Sequence, residues 1–122
     1  MAGTESVGIF PDVCAFGIRG GMFVNEFQKK FFVYLASIQE SCVETCMIQH
    51  KCDDKVTESM LYDVTYEVIT DIMEMIDGYS AFSKNKHDIV NTVTGEHLKE
   101  EPFIELHDQT EVFLRYGFLR KR

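Results

Sequence analysis

Two stretches of the chain repeat apolar side chains at the spacing of an α-helix. In the clearer stretch, residues 56–77, apolar positions recur every three or four residues with polar positions between them. This period predicts a helix laid on a core, with Asp53 and Asp54 before its start and Gly78 as the C-terminal cap. The face predicted to be buried consists of Met60, Leu61, Val64, Val68, Ile69, Ile72, Met73 and Ile76.

A second helix is predicted from Asn25, a favourable N-cap residue, to about Gln49. Its predicted apolar face consists of Phe27, Phe31, Tyr34, Leu35, Ile38, Cys42 and Cys46. Only a few polar residues separate this helix from the helix at 56–77. Because such a short connection makes helices antiparallel neighbours, we expect a long αα-hairpin.

The pattern changes after Gly78. The short β-branched segment 87–93 and the Thr94-Gly95 turn predict a small β-hairpin that ends near residue 98. Beyond Pro102, apolar positions at helical spacing predict a third, shorter helix that begins between Pro102 and Asp108. Together these elements predict a mostly helical α+β fold.

Residues 22–122 are expected to form a single globular domain. Residues 1–21 are glycine-rich and without a periodic pattern, which predicts a flexible leader, either native or left from an over-long gene start or a tag. A chain of 122 residues with 45% hydrophobic side chains is long enough for a core of its own.

The net charge of −8 bears on the class of partner. Phosphate contacts require Lys and Arg, so nucleic acids and anionic membranes are disfavoured as partners and basic proteins are favoured. No apolar run reaches the roughly 18–20 residues that span a bilayer. The first residues lack the pattern of a signal peptide, which predicts a cytoplasmic protein with reduced cysteines.

Five carboxylates recur along the helix at 56–77, and no Lys or Arg interrupts them. A row of charges of one sign is ordinary on a solvated helix face, but it also attracts cationic ligands. We therefore predict a partner-binding surface and, from it, a small acidic intracellular protein-binding module. Its expected role is that of an inhibitor or immunity-type protein that masks a basic partner. The predicted contact residues are Asp63, Glu67, Asp71, Glu74 and Asp77.

Two alternatives remain open. Cys46 and His50 are four residues apart on the predicted helix and Cys52 follows in the turn, a spacing that allows a zinc site if another ligand joins them. Cysteines on an apolar face are more often part of a core, and in that case no cofactor is expected. The other alternative is a structural homodimer, in which the two long helices expose part of their apolar width to a second copy.

An enzyme is less favoured than a binding module. The sequence contains none of the established catalytic or nucleotide-binding spacings, such as Gly-x-Gly-x-x-Gly, His-Glu-x-x-His or Gly-x-Ser-x-Gly. His87, His97 and His107 lie among carboxylates and could form a hydrolytic site. Isolated surface histidines beside carboxylates are far more common.

Overall fold

A computed structural model describes residues 24–118 and contains three helices in this range. They are α1 (Glu26–Gln49), α2 (Lys55–Asp77) and α3 (Leu106–Phe113). No β-strand is present between residues 24 and 118, so the fold is all-α and the predicted α+β class is wrong. The predicted leader, residues 1–21, lies outside the described residues.

The predicted β-hairpin is replaced by a local turn. Val90 and His97 form one isolated antiparallel bridge, and the Asn91 N–H donates to the Glu96 carbonyl at 2.9 Å. Between them, the Asn91 side chain accepts from the N–H groups of Val93 and Thr94. These side-chain bonds hold the backbone in a turn, which competes with extension of the bridge into a ladder.

Both long helices begin at a side-chain cap. At the start of α1, Asn25 and Gln28 form a reciprocal capping box, in which each side chain accepts from the other residue's N–H at 2.7 Å. At the start of α2, the Asp54 carboxylate accepts from the N–H and the hydroxyl of Thr57. These caps satisfy backbone donors that have no partner inside the helix.

Gly78 ends α2. Its φ of +91° lies in the left-handed region, and a Cβ built there would meet the Asn85 carbonyl oxygen at 2.8 Å. A side chain at this position is therefore disfavoured by both backbone conformation and space. The turn directs the chain back along the helix end, where the His87 N–H donates to the Ile76 carbonyl at 2.7 Å.

The first two helices run in opposite directions. Near the middle of α1, the buried Gln39 amide donates to the Tyr62 carbonyl and the Thr65 hydroxyl in the first half of α2. Earlier in α1, Phe32 belongs to the same core cluster as Met73 near the end of α2. Among residues 24–118, no helix is both long and apolar enough to cross a membrane.

The core closes around α3 and the segment that precedes it. Phe32 stacks on Phe113 with ring centroids 5.6 Å apart, and Leu98 is fully buried. The Gln28 amide donates to the carbonyls of Leu98 and Pro102 at 2.9 and 2.8 Å. Thus the Gln28 side chain of α1 bonds to the backbone of the segment 78–105, which contains neither helix nor strand.

The two long helices bury only part of the faces predicted. On α1 the buried side chains are Gln28, Phe32, Gln39 and Val43, and on α2 they are Tyr62, Tyr66, Thr70, Met73 and Asp77. By contrast, Met60, Val64, Val68 and Ile72 are exposed, although the sequence pattern placed them in the core. The apolar period therefore covers a second, exposed surface together with part of the packed one: Met73 is in the core, and Phe27, Phe31, Leu35, Ile69 and Ile76 pack against it partly buried.

Candidate functional site

The most buried charged group lies at the end of α2. Asp77 is 0% exposed, and its Oδ2 accepts from the backbone N–H of His107 at 2.9 Å and contacts the ring Nδ1 at 2.7 Å. Its Oδ1 lies 2.6 Å from Nζ of the buried Lys99, as an ion pair whose angles fall outside hydrogen-bond geometry. Burial opposes ionisation of Asp77, but Lys99 and the N–H groups of His107 favour it more, so the pKa of Asp77 is lowered.

A second ion pair adjoins this one. Lys86 Nζ lies 2.8 Å from Glu105 Oε2 and 3.2 Å from the Tyr79 hydroxyl. The contact with Glu105 is the main cause of the raised pKa of Lys86. The other oxygen of Glu105 lies 3.9 Å from His107 Nδ1, which connects the two ion pairs.

This ionic cluster has the chemistry of a structural centre. Ligand atoms of Asp77, Glu105 and His107 lie within 4.8 Å of one another, a spacing that could hold a metal ion. However, the ammonium groups of Lys99 and Lys86 already supply positive charge to the two carboxylates. The cluster therefore connects the end of α2 to the start of α3 and to the segment between them.

The other group with metal-like spacing is at the surface. Asp88, His97 and Glu100 bring their ligand atoms within 4.8 Å, but the Asp88 carboxylate already accepts from the N–H groups of Ile89 and Lys99. Burial raises the pKa of Asp88, and the bonds from His97 and from the two N–H groups more than offset this, so the pKa is lowered. Asp88 thus holds the loop backbone together.

The three predicted zinc ligands do not come together. Cys46 lies half-buried in the last part of α1, His50 is exposed just after it, and Cys52 contacts the His50 carbonyl through its sulfur at 3.5 Å. Within residues 24–118, the groups of three converging ligand atoms are the two described above, and neither contains these side chains. A zinc site there stays a prediction that requires rearrangement of the side chains.

The predicted acidic surface is divided by the structure. Asp77 faces inward and is unavailable to a partner, because its carboxylate belongs to the ionic cluster. Asp63 accepts from the N–H groups of Gly117 and Phe118 at 2.5 and 2.7 Å. Glu67 and Glu74 are half-buried, and Asp71 is exposed. We use the name acidic row for Asp63, Glu67 and Asp71, which follow one another at steps of four.

A row of exposed apolar side chains runs beside the acidic row. Its members lie four residues apart along α2 and are 43–59% exposed. Met60, Val64 and Val68 each precede a carboxylate of the acidic row by three residues. Residues at this spacing are neighbours on a helix surface. We name this the apolar row: Val56, Met60, Val64, Val68 and Ile72.

Tyr34 and Ile38 extend this apolar surface onto α1 and are 67% and 42% exposed. The Gln39 side chain of α1 donates to the Thr65 hydroxyl of α2. Ile38 directly precedes Gln39 in the chain, and Val64 directly precedes Thr65. Because α1 and α2 run in opposite directions, the residue that precedes the contact in each helix faces the same side of the helix pair. Exposed apolar side chains of both helices therefore face the same side of the α1–α2 pair, and we name the strip between them on this side the outer groove.

Sequence reasoning found these residues and gave them the wrong environment. The helical period that predicted a buried face in each long helix includes this outer surface as well as residues packed on the core, such as Phe31 and Met73. The signal for the ionic cluster was weaker, because Asp77, Lys99 and His107 are far apart in the chain and none belongs to a recognised motif. Comparison with models of protein families, with curated proteins and with solved structures gave no match.

Proposed function

We propose that this protein is a small acidic protein-binding module that associates with a basic partner through the outer surface of α1 and α2. The observation that carries the proposal is the apolar row, whose side chains remain 43–59% exposed beside a row of carboxylates. A contiguous apolar strip with a polar border is typical of a protein interaction site.

Charge supports the choice of a basic partner. The chain carries a net charge of −8, and α2 contains no cationic side chain after Lys55 at its first position. A surface of one sign attracts an oppositely charged protein and disfavours association with acidic ones. An inhibitor or immunity-type protein that covers a basic site would use such a surface.

We place this role in the cytoplasm. Within residues 24–118, Cys42, Cys46 and Cys52 form no disulfide, which agrees with this proposal. Reduced cysteines are usual in that compartment, whereas secreted domains commonly pair theirs.

The test is site-specific photo-cross-linking in the source cells. A photoreactive residue at Val68 should capture a basic partner, because this position lies in the apolar row. The matched control is the same residue at Val93, which is also apolar and 91% exposed but lies outside the outer surface. Capture from both positions equally, or from neither, would contradict the proposal.

The double variant Val64→Ser, Val68→Ser checks the same surface without a cross-linker. Recovery of the complex, followed by native mass spectrometry, should fall about tenfold or more, since both side chains would be buried by a partner. The variant Val93→Ser should leave recovery unchanged. A cross-link that joins two copies of this chain would replace the basic partner by self-association.

A further inference from the structure

We infer that the element of the partner that binds here is a single amphipathic α-helix, seated in the outer groove between α1 and α2, with Lys or Arg along one flank only. This inference rests on the proposed function and adds the shape and polarity of what is bound. Three features of the groove support it: the spacing of its apolar side chains, the position of its charges and the symmetry of the alternatives.

Spacing favours a helix as the occupant. The apolar row advances in steps of four, so it is one continuous ridge of the α2 surface. Ridges of this kind pack into the grooves between the ridges of another helix. Tyr34 and Ile38 on α1 form the opposite wall, so a third helix would contact two helices at once.

The charges of the groove are one-sided. On the α2 flank, Asp63, Glu67 and Asp71 follow three residues after Met60, Val64 and Val68 respectively. On the α1 flank, the exposed residues three, four and seven positions after Ile38 share its face of the helix, and they are the uncharged Ser41, Cys42 and Thr45. Glu40 and Glu44 are also exposed, but at two and six positions after Ile38 they lie on other faces of α1. A helix with cations on both flanks would gain on one side alone, whereas a helix with cations on one flank matches the groove in a single orientation.

Symmetry argues against an antiparallel second copy of the chain as the occupant. If two copies paired antiparallel through the apolar row, the two-fold axis would place their acidic rows on the same side of the contact. The carboxylates of one copy would then face those of the other, which is unfavourable for two chains that each carry a net charge of −8. A basic helix removes this repulsion.

The experiment uses three synthetic helical peptides of about 18 residues, a length of about 27 Å. The first has Leu at steps of four with Lys along one flank, the second has the same Leu row with Glu on that flank, and the third keeps Lys but replaces Leu by Ser. Binding to the full chain is measured by fluorescence anisotropy. The site is mapped by backbone amide shifts in two-dimensional NMR.

The first peptide should bind at least about tenfold more tightly than either of the others, and less tightly as salt increases. Its amide shifts should concentrate on α1 and α2 around Ile38 and Val68. The variant Asp71→Lys should weaken the Lys peptide and strengthen the Glu peptide. Val93→Ser should change neither, and each variant's thermal unfolding is compared with that of the parent chain to confirm folding.

The possible outcomes distinguish failure of this inference from failure of the proposed function on which it rests. Equal binding of the Lys and Glu peptides, or shifts away from the groove, would overturn the one-sided basic helix. If no peptide binds but Val68 cross-links to a protein in cells, the binding function stands and the helix is wrong. If no peptide binds and Val68 captures nothing, both fail.

Discussion

The two sides of α2 differ in burial, and the side that carries more polar groups is the buried one. Five side chains on the inner side are buried, and all of them except Met73 carry a polar group: Tyr62, Tyr66, Thr70 and Asp77. The apolar row on the outer side has no polar side chain and remains 43–59% exposed. Hydrophobicity alone therefore does not decide which side of this helix packs.

Partners decide it. On the inner side, the Tyr62 hydroxyl accepts from Arg115 at 3.1 Å and the Thr70 hydroxyl donates to that of Thr110 at 2.9 Å. Asp77 is held by Lys99 and His107. Buried polar groups are tolerated when they are satisfied in this way. The apolar row requires no such partners, so exposure leaves it available for another protein.

The largest effect is expected at the inner end of α2. Replacing Asp77 by Ala should lower the free energy of unfolding by about 3–5 kcal/mol, because the Lys99 ammonium would remain buried without its counter-ion. Urea unfolding monitored by circular dichroism provides the measurement. The outer-row change Val64→Ala should cost about 1 kcal/mol or less, since that side chain is 58% exposed.

A double variant provides the control for this prediction. Removing both charges, as Asp77→Asn with Lys99→Met, should cost less than the sum of the single changes, since neither partner is then left as an isolated charge. A strictly additive result, or an Asp77→Ala cost no greater than that of Val64→Ala, would show that the ionic cluster does not hold the inner side in place.

Two adjacent residues give a sharper comparison. Met73 is 6% exposed and belongs to the core cluster, whereas Ile72 belongs to the apolar row and is 43% exposed. Met73→Ala should cost about 2–5 kcal/mol and Ile72→Ala about 1 kcal/mol or less, measured by urea unfolding. Equal costs would mean that the outer side of α2 is packed in solution, by self-association or by another part of the chain.

Much of the helical framework could be predicted from the sequence. Asn25, Asp54 and Gly78 are local signals that act within a few residues of the helix ends they mark, and each caps its helix as expected. The third helix begins at Leu106, inside the predicted interval. Local signals sufficed there because capping and termination depend on neighbouring residues.

The environment of the helices could not be predicted in the same way. Both sides of α2 satisfy a helical period, and the choice between them depends on distant residues, such as Thr110, 40 positions from Thr70, and Arg115, 53 positions from Tyr62. The predicted β-hairpin is absent because the Asn91 side chain bonds to the nearby backbone, and because Gln28 of α1 bonds to the segment that follows. The apolar and acidic rows were found because they lie within one helix.

The smallest expected effect, and the most specific to the inner side, is a dependence of stability on pH. Because the pKa of Asp77 is lowered in the folded chain, its carboxylate contributes stability above the unfolded value, about 3.9. That contribution should be lost as the pH falls from about 4 through the folded pKa, since the unfolded chain takes up the proton more readily. Asp88, whose pKa is also lowered, should add to the loss.

Urea unfolding at several pH values between about 7 and 2.5 measures this loss. Asp77→Asn should flatten the acid limb of the profile, because the titrating carboxylate is gone. Met73→Ala is the matched control: it destabilises the same side of α2 without removing a titratable group, so its acid limb should stay parallel to that of the parent chain. If Asp77→Asn and Met73→Ala gave the same acid limb, the inner side of α2 would contribute to the free energy of unfolding through packing, and ionisation of Asp77 would contribute nothing to it.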